Sequence, residues 1–223
     1  MIKRLFIRAL CKFAAGASIV ALLLFGSAGT LAFWNGWLLM VILFIPMFLV
    51  GVVMLFKNPE LLKKRLNMKE RQSQQRRVVV LSGGMFVLGF ILAGIDHRLA
   101  VSPLPEGVSI GAAAVFLLAY LLYAQVLREN AYLSRVIEVQ ENQKVIDTGL
   151  YGIVRHPMYA ATVLLFLMMP LVLGSLLSFA VFLCYPLIIA KRIKAEEHFL
   201  QKELEGYAEY QQKVKYRLIP FVW

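Results

Sequence analysis

The sequence predicts an all-α integral membrane protein: four transmembrane helices plus a C-terminal broken helical hairpin, with a short β-like cytoplasmic loop before the hairpin and a cytoplasmic C-terminal helix after it. Three observations carry this reading. Of 223 residues, 60% are hydrophobic and 17% charged, a balance too apolar for an ordinary soluble domain in a chain too short for two membrane domains. Four segments without Lys, Arg, Asp or Glu are long enough to cross a bilayer, and a fifth charge-free run extends over 32 residues from Tyr159 to Ala190. Basic residues, finally, alternate in density along the chain in step with those segments.

The opening MIKRLFIRALCKF followed by AAGASIVALLLFGSAG has the outline of a secretory signal. The apolar stretch nevertheless runs on through Trp34 and Trp37 into a second one, so two retained helices are expected, Phe13 to Phe33 and Trp34 to Phe56. A tight turn at WNGW would join them, its paired Trp anchoring at a bilayer surface. The third and fourth spans are Val78 to Ile95 and Gly107 to Leu127. Small residues Gly83, Gly84, Gly89 and Ala93 permit close helix packing, within one chain as easily as between two, so oligomeric state is not legible.

The 24 basic residues fall as 4 before Phe13, none in WNGW, 8 in 57–77, 1 in 96–106, 4 in 128–158 and 7 in 191–223. By the positive-inside rule both termini, the 57–77 loop and the 128–158 segment are cytoplasmic, and WNGW and HRLAVSPLPEG face outward. The net charge of +11 therefore faces lipid headgroups, and nucleic acid is not an expected partner, because the stacking aromatics of such sites are missing from the basic segments. KNPELLKKRLNMKERQSQQRR reads as an amphipathic connector on the cytoplasmic surface. Asp96 and His97 read as interfacial residues facing water. Cys11 and Cys184 suggest neither a disulfide nor a metal cluster, and no metal site is expected.

With both ends inside, the fifth run must enter the membrane and return. Pro170, Gly174 and Ser175 break it near the middle into two arms of about 15 residues, each roughly 22 Å at 1.5 Å per residue and somewhat short of a ~30 Å hydrocarbon core. Ahead of it, SRVIEVQENQKVIDTGLYGIV alternates polar and apolar residues like a short hairpin, with turns near Glu141 and Asn142 and at Thr148 and Gly149.

Arg155, His156 and Pro157 stand directly before the run. They fit a helix start with His156 at the cap and Pro157 in the first turn, where a missing N–H costs nothing. At the far end stands AKRIKAEEHFL, with Arg192 and Glu196 one helical turn apart and Glu197 beside them. Because the hairpin returns to the surface it left, these charges come back toward His156 and Tyr159. Polar groups converging over an apolar hairpin suit a ligand that is part polar and part greasy. The chain has no GxGxxG, Walker loop, HExxH or CxxC to support nucleotide or zinc chemistry. Phe199, Leu200, Leu204, Tyr207 and Val214 lie at roughly helical spacing, which suits a surface helix anchored through Phe221 and Trp223.

GLYGIVRHPMY, the PLVLGS break, KRIKAEEHFL and GYAEYQQKVKYRLIPF, in that order, resemble the isoprenylcysteine carboxyl methyltransferase and phospholipid methyltransferase superfamily of membrane enzymes. NPELLKKRL and WNGW resemble a bacterial branch, which implies the inner membrane. The resemblance implies S-adenosylmethionine as cofactor, a lipophilic acceptor met at the cytoplasmic surface, and a C-terminal helix packed back as a partial lid over the site. It divides the chain into N-terminal helices over 1–130 and a catalytic, cofactor-binding region over 131–223. Carried over by position, Gln143, Lys144, Val145, Ile146, Tyr151, His156, Pro157, Met158, Tyr159 and Glu196 would hold the cofactor. Arg192 would bind the acceptor, and Arg192 and Glu196 are the expected catalytic pair. Methylation of a carboxylate or of a phospholipid amine both fit. The rivals are an NADPH-dependent membrane reductase of the steroid reductase type, which has a similar C-terminal site, and an inactive membrane scaffold.

Overall fold

The computed structural model describes residues 2–66, 73–130, 132–133 and 139–223. Four long helices come first: α1 (Ile2–Ala28), α2 (Trp34–Lys57), α4 (Ser73–Leu99) and α5 (Glu106–Glu129), with the short α3 (Pro59–Leu66) between the second and third of them. Then follow α6 (Pro157–Val172), α7 (Leu176–Phe182), α8 (Tyr185–Glu203) and α9 (Tyr207–Lys213). Five stretches are long and apolar enough to cross a membrane, the fifth being the kinked pair α7 and α8 over Leu176–Glu203. The chain is an integral membrane protein. Leu22, Phe56, Leu121 and Leu187 stay exposed on its flanks, as side chains facing lipid do.

The long helices extend past the charge-free segments, since α1 takes in Lys3, Arg4, Arg8 and Lys12 and α4 starts at Ser73. A helix can continue beyond the hydrocarbon, where water accepts the charges. The expected turn at WNGW is displaced: residues 29–33 make the turn, Gly29 taking a φ of +68°, and Trp34 to Trp37 form the first turn of α2. Trp37 donates its indole N–H to the Leu31 carbonyl at 2.8 Å, tying that helix start to the loop. Helices α1 and α4 pack tightly at Gly94, where a Cβ would lie 1.9 Å from Ser27 Oγ and 2.6 Å from the Leu24 carbonyl oxygen. Only glycine permits that crossing.

The break in the fifth run follows from its sequence. Pro170 is accommodated inside α6, and the helix ends two residues later at Val172, followed by Gly174 in a left-handed φ of +72°. Ser175 N–H donates to the Pro170 carbonyl at 3.0 Å and Gly174 N–H to that of Leu171 at 3.1 Å, the two bonds of a Schellman cap. Neighbouring helices satisfy the rest: Asn35 donates to the Val172 carbonyl at 2.9 Å and Ser109 to that of Leu171 at 3.1 Å. Ser175 then caps α7 by accepting from Ser178 N–H. Its hydroxyl also donates to Asp96 Oδ2 at 2.5 Å. Asp96 is therefore buried at 1% exposure, bonded to Ser175 and Ser102, and does not face water as expected; His97 does remain exposed, stacked on Phe33.

The two arms of the run are unequal. Helix α6 has 16 residues and spans about 24 Å, whereas α7 and α8 continue as one kinked rod through the charged AKRIKAEEHFLQKE to Glu203. Arg65 of α3 sits over the Tyr123 ring of α5 and 3.7 Å from Met158 Sδ, so α3 bridges α5 and the start of α6. A short helix between two longer neighbours leaves a recess above its N-terminus.

Residues 139–147 form turns and extended chain without strands; residues 134–138 of the expected β-like loop lie outside the described residues. The turn at Glu141 and Asn142 is present, with Asn142 at a φ of +57° and Gln143 N–H donating to the Gln140 carbonyl at 3.0 Å. In α3, Asn58 accepts from Leu61 N–H at 3.1 Å, and Leu61 and Leu62 are buried while Lys63 is exposed. Within α3 that is the amphipathic pattern expected of this connector, whose residues 67–72 lie outside the described ones.

Candidate active site

The recess above α6 is an open-mouthed cavity, about 840 Å³ when the solvent space at its mouth is included. Its floor is the first turn of α6. Three separate stretches of chain build its walls.

The first stretch is Gln143 to Ile146, all four of which line the cavity, with Asn130, Tyr132 and Leu133 beside them. The second begins at Gly149, whose φ of +58° starts a 3-10 turn over Gly149–Gly152. Glu129, at the end of α5, accepts from Leu150 N–H at 2.9 Å, and a Cβ on Gly149 would meet that carboxylate at 2.6 Å. The turn presents Tyr151 to the cavity wall. The chain then reaches His156, the N-cap of α6, followed by Pro157 at its first position. Arg155, His156, Met158 and Tyr159 line the cavity; Pro157 is fully buried behind the surface and shapes the turn.

The third stretch is the upper part of α8, which contributes Arg192, Glu196 and Leu200. Arg192 and Glu196 meet through Tyr159: Arg192 Nε donates to the Tyr159 hydroxyl at 2.8 Å, and that hydroxyl donates to Glu196 Oε2 at 2.5 Å. The phenol thus sets the spacing between a cation and a carboxylate on one helix face. Arg192 also lies over the Tyr159 ring at 5.9 Å.

Glu197, one residue on and about 100° round the helix, does something different. It is buried at 4% exposure and receives Arg155 Nε at 2.7 Å and Arg217 Nε at 2.8 Å, with His156 Nε2 at 3.2 Å. Arg155 also donates to the carbonyls of Val214 and Lys215, and the backbone N–H groups of Arg155 and His156 donate to those of Tyr216 and Arg217. Charges paired this way hold the start of α6, the middle of α8 and the C-terminal segment together.

Helix α9 closes one side. Leu204, Tyr207 and Tyr210 line the cavity and pack with Val139, Val145, Leu200 and Val214 in a small apolar cluster apart from the main core. Gly206, at a φ of +78°, makes the corner between α8 and α9. Tyr210 donates to the Tyr151 carbonyl at 2.7 Å, and Lys213 pairs with Asp147 at 2.6 Å. Burial pushes the phenols of Tyr151, Tyr207 and Tyr210 well above their ordinary range, so they stay neutral. Hydrogen bonding and the charge of Lys213 hold the exposed Asp147 carboxyl below its own.

Residues 110–202 match the model of the isoprenylcysteine carboxyl methyltransferase family. Over that segment the chain is similar to this family. The matched segment runs from α5 to the end of α8, and so includes the 143–146 stretch, the 3-10 turn, α6 and the Arg192 to Leu200 wall. A search of curated proteins gave no match.

Apart from Pro157, every residue expected at the site lines the cavity, and Pro157 adjoins it. Sequence reasoning missed Asn130, Tyr132, Leu133 and the lining role of Tyr210. No spacing rule connects those positions to α6, because the turns of 139–152 bring them there. Glu197 was visible as a neighbour of Glu196, but a carboxylate's partners 20 to 42 residues away are not.

Proposed function

We propose that this membrane protein, like the family its residues 110–202 resemble, transfers a methyl group from S-adenosylmethionine to the carboxylate of a lipophilic acceptor at the cytoplasmic membrane surface. The observation that carries the reading is the convergence of Gln143 to Ile146, Tyr151 to Tyr159, and Arg192 with Glu196 on one cavity. The residues suit the donor: a carboxylate and a cation 2.5 Å and 2.8 Å from one phenol match a zwitterionic amino-acid end, and Tyr151, Val145 and Leu200 offer apolar surface for a base.

When bound, S-adenosylmethionine supplies a methyl group on a positively charged sulfur, open to in-line attack. Protein groups then have to position and exclude water. Glu196 holds a cationic or hydroxyl portion of the donor, with Tyr159 fixing its carboxylate. Arg192, on the same face, orients the acidic head of the acceptor, while the apolar wall of α6 and α8 receives its tail. A carboxylate acceptor is already ionised at neutral pH, so no general base is required. Helix α9, hinged at Gly206, covers the site.

The test is calorimetric titration of the detergent-purified protein with S-adenosylmethionine, with NADPH in parallel and His156→Ala and Glu196→Ala alongside. Saturable binding of the methyl donor, lost in both variants, is the expected result. Binding of NADPH in its place would overturn the reading in favour of a reductase. Arg192→Ala should leave donor binding intact and abolish dependence on the acceptor's acidic group; unchanged acceptor dependence would remove Arg192 from that role.

A further inference from the structure

Tyr207 is the first residue of α9, directly after Gly206, and only 4% exposed, and it lines the cavity. Among the described residues its hydroxyl has no hydrogen-bond partner, and it is shut off from solvent. Buried phenols are ordinarily bonded, as Tyr210 is to the Tyr151 carbonyl and Tyr159 is to Glu196, because an unmade bond forfeits the hydration the group has given up. A neighbouring phenylalanine would fill the same volume without that cost. The hydroxyl is therefore a feature of the wall that the ligand-free protein does not use.

The acidic groups at this wall bear on what it would bind. Glu196 lines the same cavity as Tyr207, and Glu197, the next residue of α8, is bonded to Arg155. Glu197 is already committed to Arg155, Arg217 and His156, which leaves Glu196 as the carboxylate turned to the cavity. An anionic ligand group beside these oxygens would be repelled. A group carrying its own donor hydrogens would be welcomed by Glu196 and would bond the phenol as well.

We infer that the Tyr207 hydroxyl, together with Glu196, binds a hydroxyl or ammonium group of the methyl donor, and so makes α9 part of the binding site. This rests on the methyl-donor reading above. The hydroxyl gains its missing bond only when the donor is present, so α9 closes more firmly over a loaded site than over an empty one.

Calorimetry of the detergent-purified wild type and Tyr207→Phe with S-adenosylhomocysteine, which cannot react, tests the inference. The variant should bind roughly 3- to 10-fold more weakly, the effect of one hydrogen bond, while its ligand-free melting temperature stays the same or rises. Methylthioadenosine, which keeps the ribose and lacks the amino-acid end, locates the contact: an equal loss assigns it to a ribose hydroxyl, and no loss with this analogue alone assigns it to the ammonium. Undiminished affinity for both analogues would overturn the inference. So would a ligand-free melting temperature several degrees lower, which would mean that the hydroxyl serves the fold. A wild type that binds neither analogue would overturn the methyl-donor reading itself.

Discussion

Arg155 and Glu197, 42 residues apart in the chain, meet at 2.7 Å with both side chains nearly excluded from solvent. Glu197 also serves Arg217 and His156, so removing its charge strands several donors in a buried place. Glu197→Ala should cost about 3–5 kcal/mol, the usual penalty for breaking a buried pair on one side. Glu196→Gln, at the adjacent position but facing the cavity, should leave the melting temperature near wild type and weaken donor binding at least tenfold. Thermal unfolding in detergent beside donor titration separates the two carboxylates; equal destabilisation by both changes would refute the division of roles.

Tyr159 stands between Arg192 and Glu196 and holds them by one hydroxyl. In Tyr159→Phe the ring still packs against the core, but the two charged groups are free to close on each other and narrow the site. Donor affinity should fall about tenfold, in line with the loss of charge-assisted hydrogen bonds, while helix content is retained. A donor isotherm superimposable on that of wild type would show that the phenol does not set their spacing.

The helices were legible because hydrocarbon imposes a length and forbids charge, and both constraints are local. The break at Gly174 and Ser175 was legible for the same reason: glycine supplies the positive φ and serine the cap. Motif order named the wall residues of the cavity, yet it gave no sign that Arg192 and Glu196 meet through Tyr159. Asp96 was misread because its partners, Ser102 and Ser175, come from two different loops, one of them 79 residues away. Polar groups buried by long-range packing have no periodicity by which to find them.

Gly149 offers a sharper test of the turn that sets the wall. Any side chain there would have to adopt a φ of +58° and would place its Cβ 2.6 Å from the Glu129 carboxylate, whose bond to Leu150 N–H starts the 3-10 turn. Gly149→Ala should therefore destabilise by about 1–3 kcal/mol through backbone strain and the clash, and should weaken donor binding by displacing Tyr151. Gly111→Ala in α5, where a Cβ would meet nothing within 4 Å, is the matched control and should be near neutral. If the two variants melt together and bind the donor equally well, the Glu129 to Leu150 contact does not shape the site.

Alkaline pH should release the cap over the cavity. Tyr151, Tyr207 and Tyr210 are raised by burial above the value of about 10 that an unfolded tyrosine shows, so the folded protein holds these protons more tightly than the unfolded chain does. Their contribution is complete below about pH 10 and is lost as the pH climbs beyond it, since only the unfolded chain can then give up the protons readily. Phenolate absorbance, followed together with protease cleavage near Gly206, should show these tyrosines ionising in the same step that frees α9. Tyr151→Phe removes one of the three protons and should make that step less steep. Ionisation near pH 10 with α9 still resistant to protease would mean that the phenols reach water without the cap opening, and that the cluster around Tyr207 and Tyr210 is not what seals the site.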